Sequence, residues 1–177
     1  MEQDRYQIRF DWGVDGASAV GVDADVLVWV DAVRGDAVFD PSSVKAVGAI
    51  VAGDFASAGA VAQWIVDRQK QLAKRITIAV IGAGASRSTG YRFAVEDLLA
   101  AGAVIRSLGE LGLDATSPEA AAAEAAYLGL GRGLAHLVSA SVSVAEGGAG
   151  VSSSAPIVSR VDPSLGPDDV RVLRSGA

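Results

Sequence analysis

The sequence predicts an α/β protein, a three-layer sandwich around a mostly parallel sheet. Three short apolar runs, at residues 25–31, 46–52 and 76–81, are too brief for typical helices and are apolar on both faces, which is typical of buried strands. The second and third runs each precede a segment whose apolar residues recur at helical spacing. Strands that alternate with helices favour a parallel sheet covered on both faces, with the ligand crevice at the carboxyl ends of the strands.

Three helices follow from the residue pattern. The first begins after Ser57, a predicted N-cap. Its positions at helical spacing are Val61, Trp64, Ile65, Arg68 and Leu72. The second follows the run at 76–81, and its apolar face consists of Val95, Leu98, Leu99, Gly102 and Ile105. The third is alanine-rich, ends near Gly129 and begins at Ser117-Pro118-Glu119, which supply an N-cap, a first-turn proline and an acid.

One domain followed by a tail is expected. Of the 177 residues, half are apolar and can bury one core, so residues 1–145 are predicted to form a single α/β domain. From residue 146 the pattern fades, because EGGAGVSSSAP is rich in glycine and serine and VDPSLGPDDV carries two prolines among acids. Residues 146–177 are therefore predicted to be an irregular C-terminal tail.

Charge and composition narrow the classes of partner. The chain has 15 basic and 21 acidic residues, a net charge of −6, and no lysine- or arginine-rich block, so nucleic acid is not expected as a partner. The absence of cysteine excludes disulfides, thiolate catalysis and zinc–thiolate sites. The N-terminus lacks an apolar signal core, and no uninterrupted apolar stretch reaches the roughly 18 residues of a spanning helix. We expect a cytoplasmic protein without a membrane partner, and a homo-oligomer stays open.

The strongest functional pattern lies in residues 81–108. An apolar run, the turn Gly82-Ala83-Gly84 and a charged helix start follow one another. Glycine lets backbone N–H groups approach an anion, and a helix N-terminus adds roughly half a positive charge. The pattern predicts an anion or metal–phosphate site beside Arg92, Glu96 and Asp97, which are expected to lie in the first turn and a half of that helix. Two ordinary explanations stay open, since glycine turns are frequent and acids stabilise a helix start by about 0.3–1 kcal/mol.

Other candidates were weighed by position. Asp31 ends a buried strand, where it could hold Mg²⁺ or act as nucleophile or base, or serve as a turn residue. Arg34 could neutralise phosphate charge or be a solvated loop arginine. Glu96 is favoured over Asp97 to face the site, because neighbours on a helix point roughly 100° apart. His136, the single histidine, is expected to be structural.

Five segments between residues 11 and 148 carry a resemblance to a known family. They are DWGVDGASAV, ADVLVWVDAVR, AGDFASAGAVAQWI, GYRFAVEDLLAAGAVIRSL and LVSASVSVAEGG. In this order they resemble the 2-phosphosulfolactate phosphatase (ComB) family, and the fourth segment is the most specific. The resemblance implies a ComB-like α/β fold and Mg²⁺-dependent hydrolysis of a phosphate monoester on a small sulfonated acid. The expected partner is a small anionic phosphorylated substrate.

The residues and the resemblance together assign roles. Catalysis is expected from Asp31, Arg34 and Glu96. The Mg²⁺ ion is expected on one or two carboxylates of Asp31, Glu96 and Asp97. The anionic groups of the substrate are expected to contact Arg92, Gly84, Ser141 and Ser143.

The chain also departs from the family pattern. The turn directly after Asp31 contains no threonines, and a central section between Phe39 and Lys45 is missing. Ser57 stands where the family has asparagine, and Ala145 stands where it has arginine. A charge-assisted contact contributes about 1.5–3 kcal/mol, so activity is expected to be weak. The alternative is a non-catalytic binding module that keeps the fold and has lost part of the active site.

Overall fold

The computed structural model describes residues 3–33, 39–45, 48–87, 90–146 and 160–176. Five strands form one sheet in the order β1-β4-β2-β3-β7, and β5 and β6 form a separate hairpin. The strands are β1 (Ile8–Trp12), β2 (Val26–Val30), β3 (Ala49–Gly53), β4 (Ile78–Gly82), β5 (Ala85–Arg87), β6 (Gly90–Arg92) and β7 (Val172–Arg174). The helices are α1 (Gly13–Val20), α2 (Ala58–Leu72), α3 (Val95–Glu110), α4 (Pro118–Leu130), α5 (Leu134–Ser139) and α6 (Val142–Glu146).

Four of the five sheet strands are parallel. β4 pairs with both β1 and β2, β2 pairs with β3, and only β7 runs antiparallel, against β3. The apolar runs predicted at 25–31, 46–52 and 76–81 are β2, β3 and β4. The prediction of an α/β protein with a mostly parallel sheet is therefore confirmed.

Each face of the sheet packs into its own apolar cluster. Val28 of β2 belongs to the first cluster, which also contains buried residues of α2, α3, α4 and α5. Leu27 of the same strand belongs to the second cluster, together with Ala17 and Val20 of α1. This alternation is the period-2 geometry of a strand buried on both faces.

The connections that leave neighbouring strands run to opposite faces. After β1 the chain enters α1 on the second face, and after β4 it passes through the β5–β6 hairpin to α3 on the first face. After β2, Phe39 and Val44 pack against the second cluster. Such divergence opens a crevice at the carboxyl ends of the strands. That crevice lies on both sides of β4.

The two serines predicted as N-caps differ in their hydrogen bonds. α4 begins at Pro118, and the Ser117 hydroxyl accepts a hydrogen bond from the Ala120 N–H at 3.1 Å, as expected of an N-cap. α2 begins at Ala58 as predicted, but the Ser57 hydroxyl does not cap it. That hydroxyl instead donates to Asp54 Oδ1 at 2.7 Å and accepts from the Asp54 N–H at 3.0 Å.

α3 and α4 pack closely through a glycine. A Cβ atom at Gly102 would lie 2.2 Å from the Ala123 carbonyl oxygen and 2.7 Å from Tyr127 Cβ. Real contacts between such atoms exceed 3 Å, so the absence of a side chain at this position sets the distance between the two helices. α3 is buried along most of its length, and its N-terminus points at the crevice edge of the sheet.

Two sheet strands were not predicted. β1 alternates apolar residues with Arg9 and Asp11, and β7 has three residues. β7 lies within the segment 146–177 that was predicted to be an irregular tail, and it adds an ordered edge strand there. The division into one domain and a tail stays a prediction.

One helical run in the described part of the chain has the length and apolarity to cross a membrane. It spans Pro118–Ala145, its 18-residue window has a mean hydropathy of 1.2, and 17% of that window is buried. No membrane-spanning stretch was predicted from the sequence, because Glu124 and Arg132 interrupt the apolar residues. A single run of this kind is weak evidence for a membrane span.

Candidate functional site

The carboxyl ends of β2 and β4 lie side by side. The Ala83 N–H donates to the Val30 carbonyl oxygen at 2.8 Å, so parallel pairing continues past the end of β4. The Asp31 N–H donates to the Gly53 carbonyl oxygen at 3.2 Å, which extends the pairing of β2 with β3. Asp31 is therefore fixed at the crevice edge of the sheet, where the sequence analysis placed it.

Asp97 links the residues that follow β2 and β4 to the N-terminus of α3 by hydrogen bonds. Its Oδ1 accepts a hydrogen bond from the Ala32 N–H at 2.8 Å, and its Oδ2 accepts one from the Gly84 N–H at 2.8 Å. Gly84 has a φ of +63°, in the left-handed region that favours glycine. The group that the glycine turn holds is thus the carboxyl of Asp97, which positions the site.

Burial sets the charge state of Asp97. With 3% of its surface exposed, burial raises the pKa of Asp97 to about 8. The hydrogen bond from Ala32 lowers this pKa, the neighbouring charges of Asp31 and Glu96 raise it, and the hydrogen bond from Gly84 lowers it. At neutral pH this carboxyl therefore takes up a proton unless a cation lies beside it.

Glu96 brings a second buried carboxyl to the same helix turn. It is 1% exposed, and its Oε2 atom has no hydrogen-bond partner in the described part of the chain. An unsatisfied buried polar group costs about 1–3 kcal/mol, and more when charged. Such a group requires a compensating proton, donor or cation, and the crevice edge is where a ligand could provide it.

The carboxyls of Asp31, Glu96 and Asp97 are the candidate ligands for a magnesium ion. Within the described ranges, no three His, Asp or Glu side chains are grouped so as to hold one ion. Mg²⁺ needs fewer, because it commonly binds one or two carboxylates and completes its shell with waters and phosphate oxygens. The unsatisfied Glu96 oxygen fits that smaller requirement, with Asp31 as the second carboxylate. Both Asp97 oxygens are already used by backbone N–H groups.

Two predicted anion-binding residues contact each other. Arg92 is buried, and its Nη2 donates to the Ser143 hydroxyl of α6 at 2.8 Å. Arg92 ends β6 and lies three residues before α3, not within the first turn of that helix as the sequence analysis placed it. A buried guanidinium with a hydroxyl beside it is suited to an anionic group.

The other residues considered in the sequence are Ser141, His136 and Arg34. Ser141 is buried, and its hydroxyl accepts from the Val144 N–H at 3.4 Å, so it supports the start of α6. His136 is exposed on α5. Arg34 lies outside the described residues.

Two aromatic side chains at this edge were missed by the sequence analysis. Trp12 ends β1, and its ring lies 5.0 Å from the ring of Phe93, centroid to centroid. Phe93 follows Arg92, and 52% of its surface is exposed. The available signal was the alternation of Ile8, Phe10 and Trp12, which is typical of a half-buried strand that ends at the crevice.

No protein-family model matches the sequence, and no curated protein matches it.

Proposed function

We propose that this protein is a Mg²⁺-dependent phosphatase on a three-layer, ComB-like α/β fold. The substrate is a phosphate monoester of a small anionic acid such as 2-phosphosulfolactate. Glu96 carries the proposal, because its buried Oε2 lacks a hydrogen-bond partner at the crevice edge, beside Asp31 and Asp97. A cation there would offset the negative charge of Asp31 and Glu96.

The residues take different parts in this reaction. Asp31 and Glu96 bind the ion, which when bound polarises the phosphoryl oxygens and lowers the pKa of a coordinated water. Asp97 is a positioning residue, since its two hydrogen bonds hold the loops after β2 and β4. Arg92, supported by Ser143, binds an anionic group of the substrate.

The test is phosphate release from 2-phosphosulfolactate with Mg²⁺ and with a chelator. We expect activity only with Mg²⁺, and we expect Glu96→Gln to lower kcat/KM by about 100-fold or more, since even outer partners of a metal site contribute 10- to 100-fold. Glu110→Gln is the matched control, because Glu110 ends the same helix and its side chain is exposed. Turnover at an ordinary enzyme rate that survives both the chelator and Asp31→Asn would refute the mechanism.

The position of Ala145 provides a gain-of-function test. Ala145 lies in α6, two residues after Ser143, where the resembling family has arginine. One charge-assisted contact of about 1.5–3 kcal/mol corresponds to roughly a 10- to 100-fold rate factor. Ala145→Arg should recover part of that factor if the side chain reaches the ligand.

A second function is favoured by the Asp97 hydrogen bonds. The glycine turn that would bind a substrate anion instead donates a hydrogen bond to the Asp97 carboxyl. The turn therefore has a structural role. A non-catalytic binding module would bind Mg²⁺ and phosphate without turnover. Calorimetric binding of both, with no phosphate release from any ester, would select this alternative.

A further inference from the structure

An aromatic surface lies next to the acidic site. Trp12 ends β1 directly beside the end of β4, and a Cβ atom at Gly82 would lie 2.6 Å from its ring carbons. The ring therefore covers the last residue of β4, two residues before Gly84. Phe93 extends this surface towards solvent from the segment that leads into Glu96.

Two cavities open at the same strand end. They measure about 420 Å³ and 390 Å³, and both are lined by Asp11 and Trp12. The second cavity extends to Leu98, the residue after Asp97 in α3. Volumes of roughly 300–1,000 Å³ are typical of small-molecule sites, so there is room for a group larger than phosphate.

The sheet order sets the distance that a ligand must span. β4 separates β1 from β2. Neighbouring strands lie about 4.8 Å apart, so the ends of β1 and β2 are roughly 10 Å from each other. A three-carbon acid, with bonds of about 1.5 Å, spans roughly half that distance. A substrate whose phosphate lies at Asp31 and Glu96 needs a longer organic part to reach Trp12.

The charges at the β1 end indicate what that organic part carries. Asp11 and Asp15 line the larger cavity, and they would repel a second sulfonate or carboxylate. Trp12 and Phe93 instead favour a flat apolar group, which aromatic rings pack against in offset or tilted geometry. We propose that the site also hydrolyses phosphate monoesters whose alcohol part carries an aromatic ring that packs on Trp12 and Phe93. This inference rests on the phosphatase function proposed above.

The test compares benzyl phosphate with propyl phosphate in the presence of Mg²⁺. Both esters release an alkoxide, and the variant Phe93→Leu separates the contact with the ring from the small difference between the two leaving groups. We expect kcat/KM to be about three- to tenfold higher for benzyl phosphate, from the strength of an aromatic contact. Phe93→Leu keeps an apolar side chain without a ring and should bring the ratio close to one. Leu128→Ala is the control, because Leu128 is 54% exposed on α4 and should leave the ratio unchanged.

The outcomes separate this inference from the phosphatase proposal. Equal kcat/KM for the two esters, or a ratio that Phe93→Leu leaves unchanged, would overturn the aromatic preference while leaving the phosphatase intact. If no ester is hydrolysed, the phosphatase proposal fails, and tryptophan fluorescence then measures Kd for benzylphosphonate and propylphosphonate. A Kd for benzylphosphonate about three- to tenfold lower supports the aromatic site, and equal values overturn it.

Discussion

The contact at Gly102 gives a quantitative test of how α3 packs on α4. In Gly102→Ala the new methyl group would lie 2.2 Å from the Ala123 carbonyl oxygen, so α4 must move away by about 1 Å to restore an ordinary contact. Overpacking of this kind costs about 1–3 kcal/mol, and occasionally more. Alanine regains about 1 kcal/mol of helix propensity over glycine. We expect the free energy of unfolding to fall by up to about 2 kcal/mol, at roughly 2–4 °C in Tm per kcal/mol for a domain of this size.

Gly109 in the same helix is the matched control. A Cβ atom at Gly109 meets nothing within 4 Å. Gly109→Ala should therefore gain only the propensity and raise the free energy of unfolding by about 0.5–1 kcal/mol. Urea denaturation followed by tryptophan fluorescence measures both variants. If Gly102→Ala stabilises the protein as Gly109→Ala does, the close packing of α3 on α4 is wrong.

Three further predictions concern Asp97, Gly84 and Ser117. The folded pKa of Asp97, about 8, lies above its unfolded value of about 3.9, so the folded protein binds this proton more tightly. Without Mg²⁺, stability should therefore fall as pH rises from 5 to 7.5, by up to about 1.4 kcal/mol per unit, and urea titrations of Asp97→Asn should lack this component. Gly84→Ala should lose about 1–2 kcal/mol in the same assay, because φ is +63°; an unchanged midpoint would contradict the left-handed backbone. Ser117→Ala should lower stability by about 1 kcal/mol through the lost cap, whereas a loss below 0.3 kcal/mol would argue against the hydrogen bond to the Ala120 N–H.

The parts of the fold that the sequence predicts are those with strong local signals. β2, β3 and β4 are continuous apolar runs with the sequences VLVWV, AIVAG and IAVIG, which are typical of buried strands. β1 was missed because Arg9 and Asp11 alternate with its apolar residues, so it lacks the continuous apolar run by which the other strands were predicted. Arg9 is buried, and its guanidinium group donates hydrogen bonds to backbone carbonyl oxygens, including those of Asp4 and Val20. These carbonyl groups belong to the main chain, so the pattern of side chains does not reveal them.

β7 was missed for a related reason. Its three residues are too few for a pattern, and it is held by long-range contacts. Arg174 donates to the carbonyl oxygens of Pro41 at 3.1 Å and Val44 at 2.9 Å, more than 120 residues away. Tertiary contacts, rather than local propensity, decide the structure of such a short edge strand.

At the candidate site, sequence position identified the acids but not their partners. Asp31 and Glu96 were predicted as site residues because they lie at a strand end and a helix start, where α/β proteins bind ligands. The hydrogen bond from Gly84 to Asp97 was not predicted, because the β5–β6 hairpin separates the two residues and a glycine turn is ordinarily matched to an external anion. Phe93 was missed because an isolated aromatic residue carries no period.

The two hydrogen bonds to Asp97 make the charge of the site observable from the backbone. The amide protons of Ala32 and Gly84 each point at one oxygen of a single carboxyl group. Their NMR chemical shifts should therefore titrate together when that carboxyl gains or loses its proton. Two residues separated by more than fifty positions in sequence become paired spectroscopic probes, one on each loop, for any cation that enters the crevice.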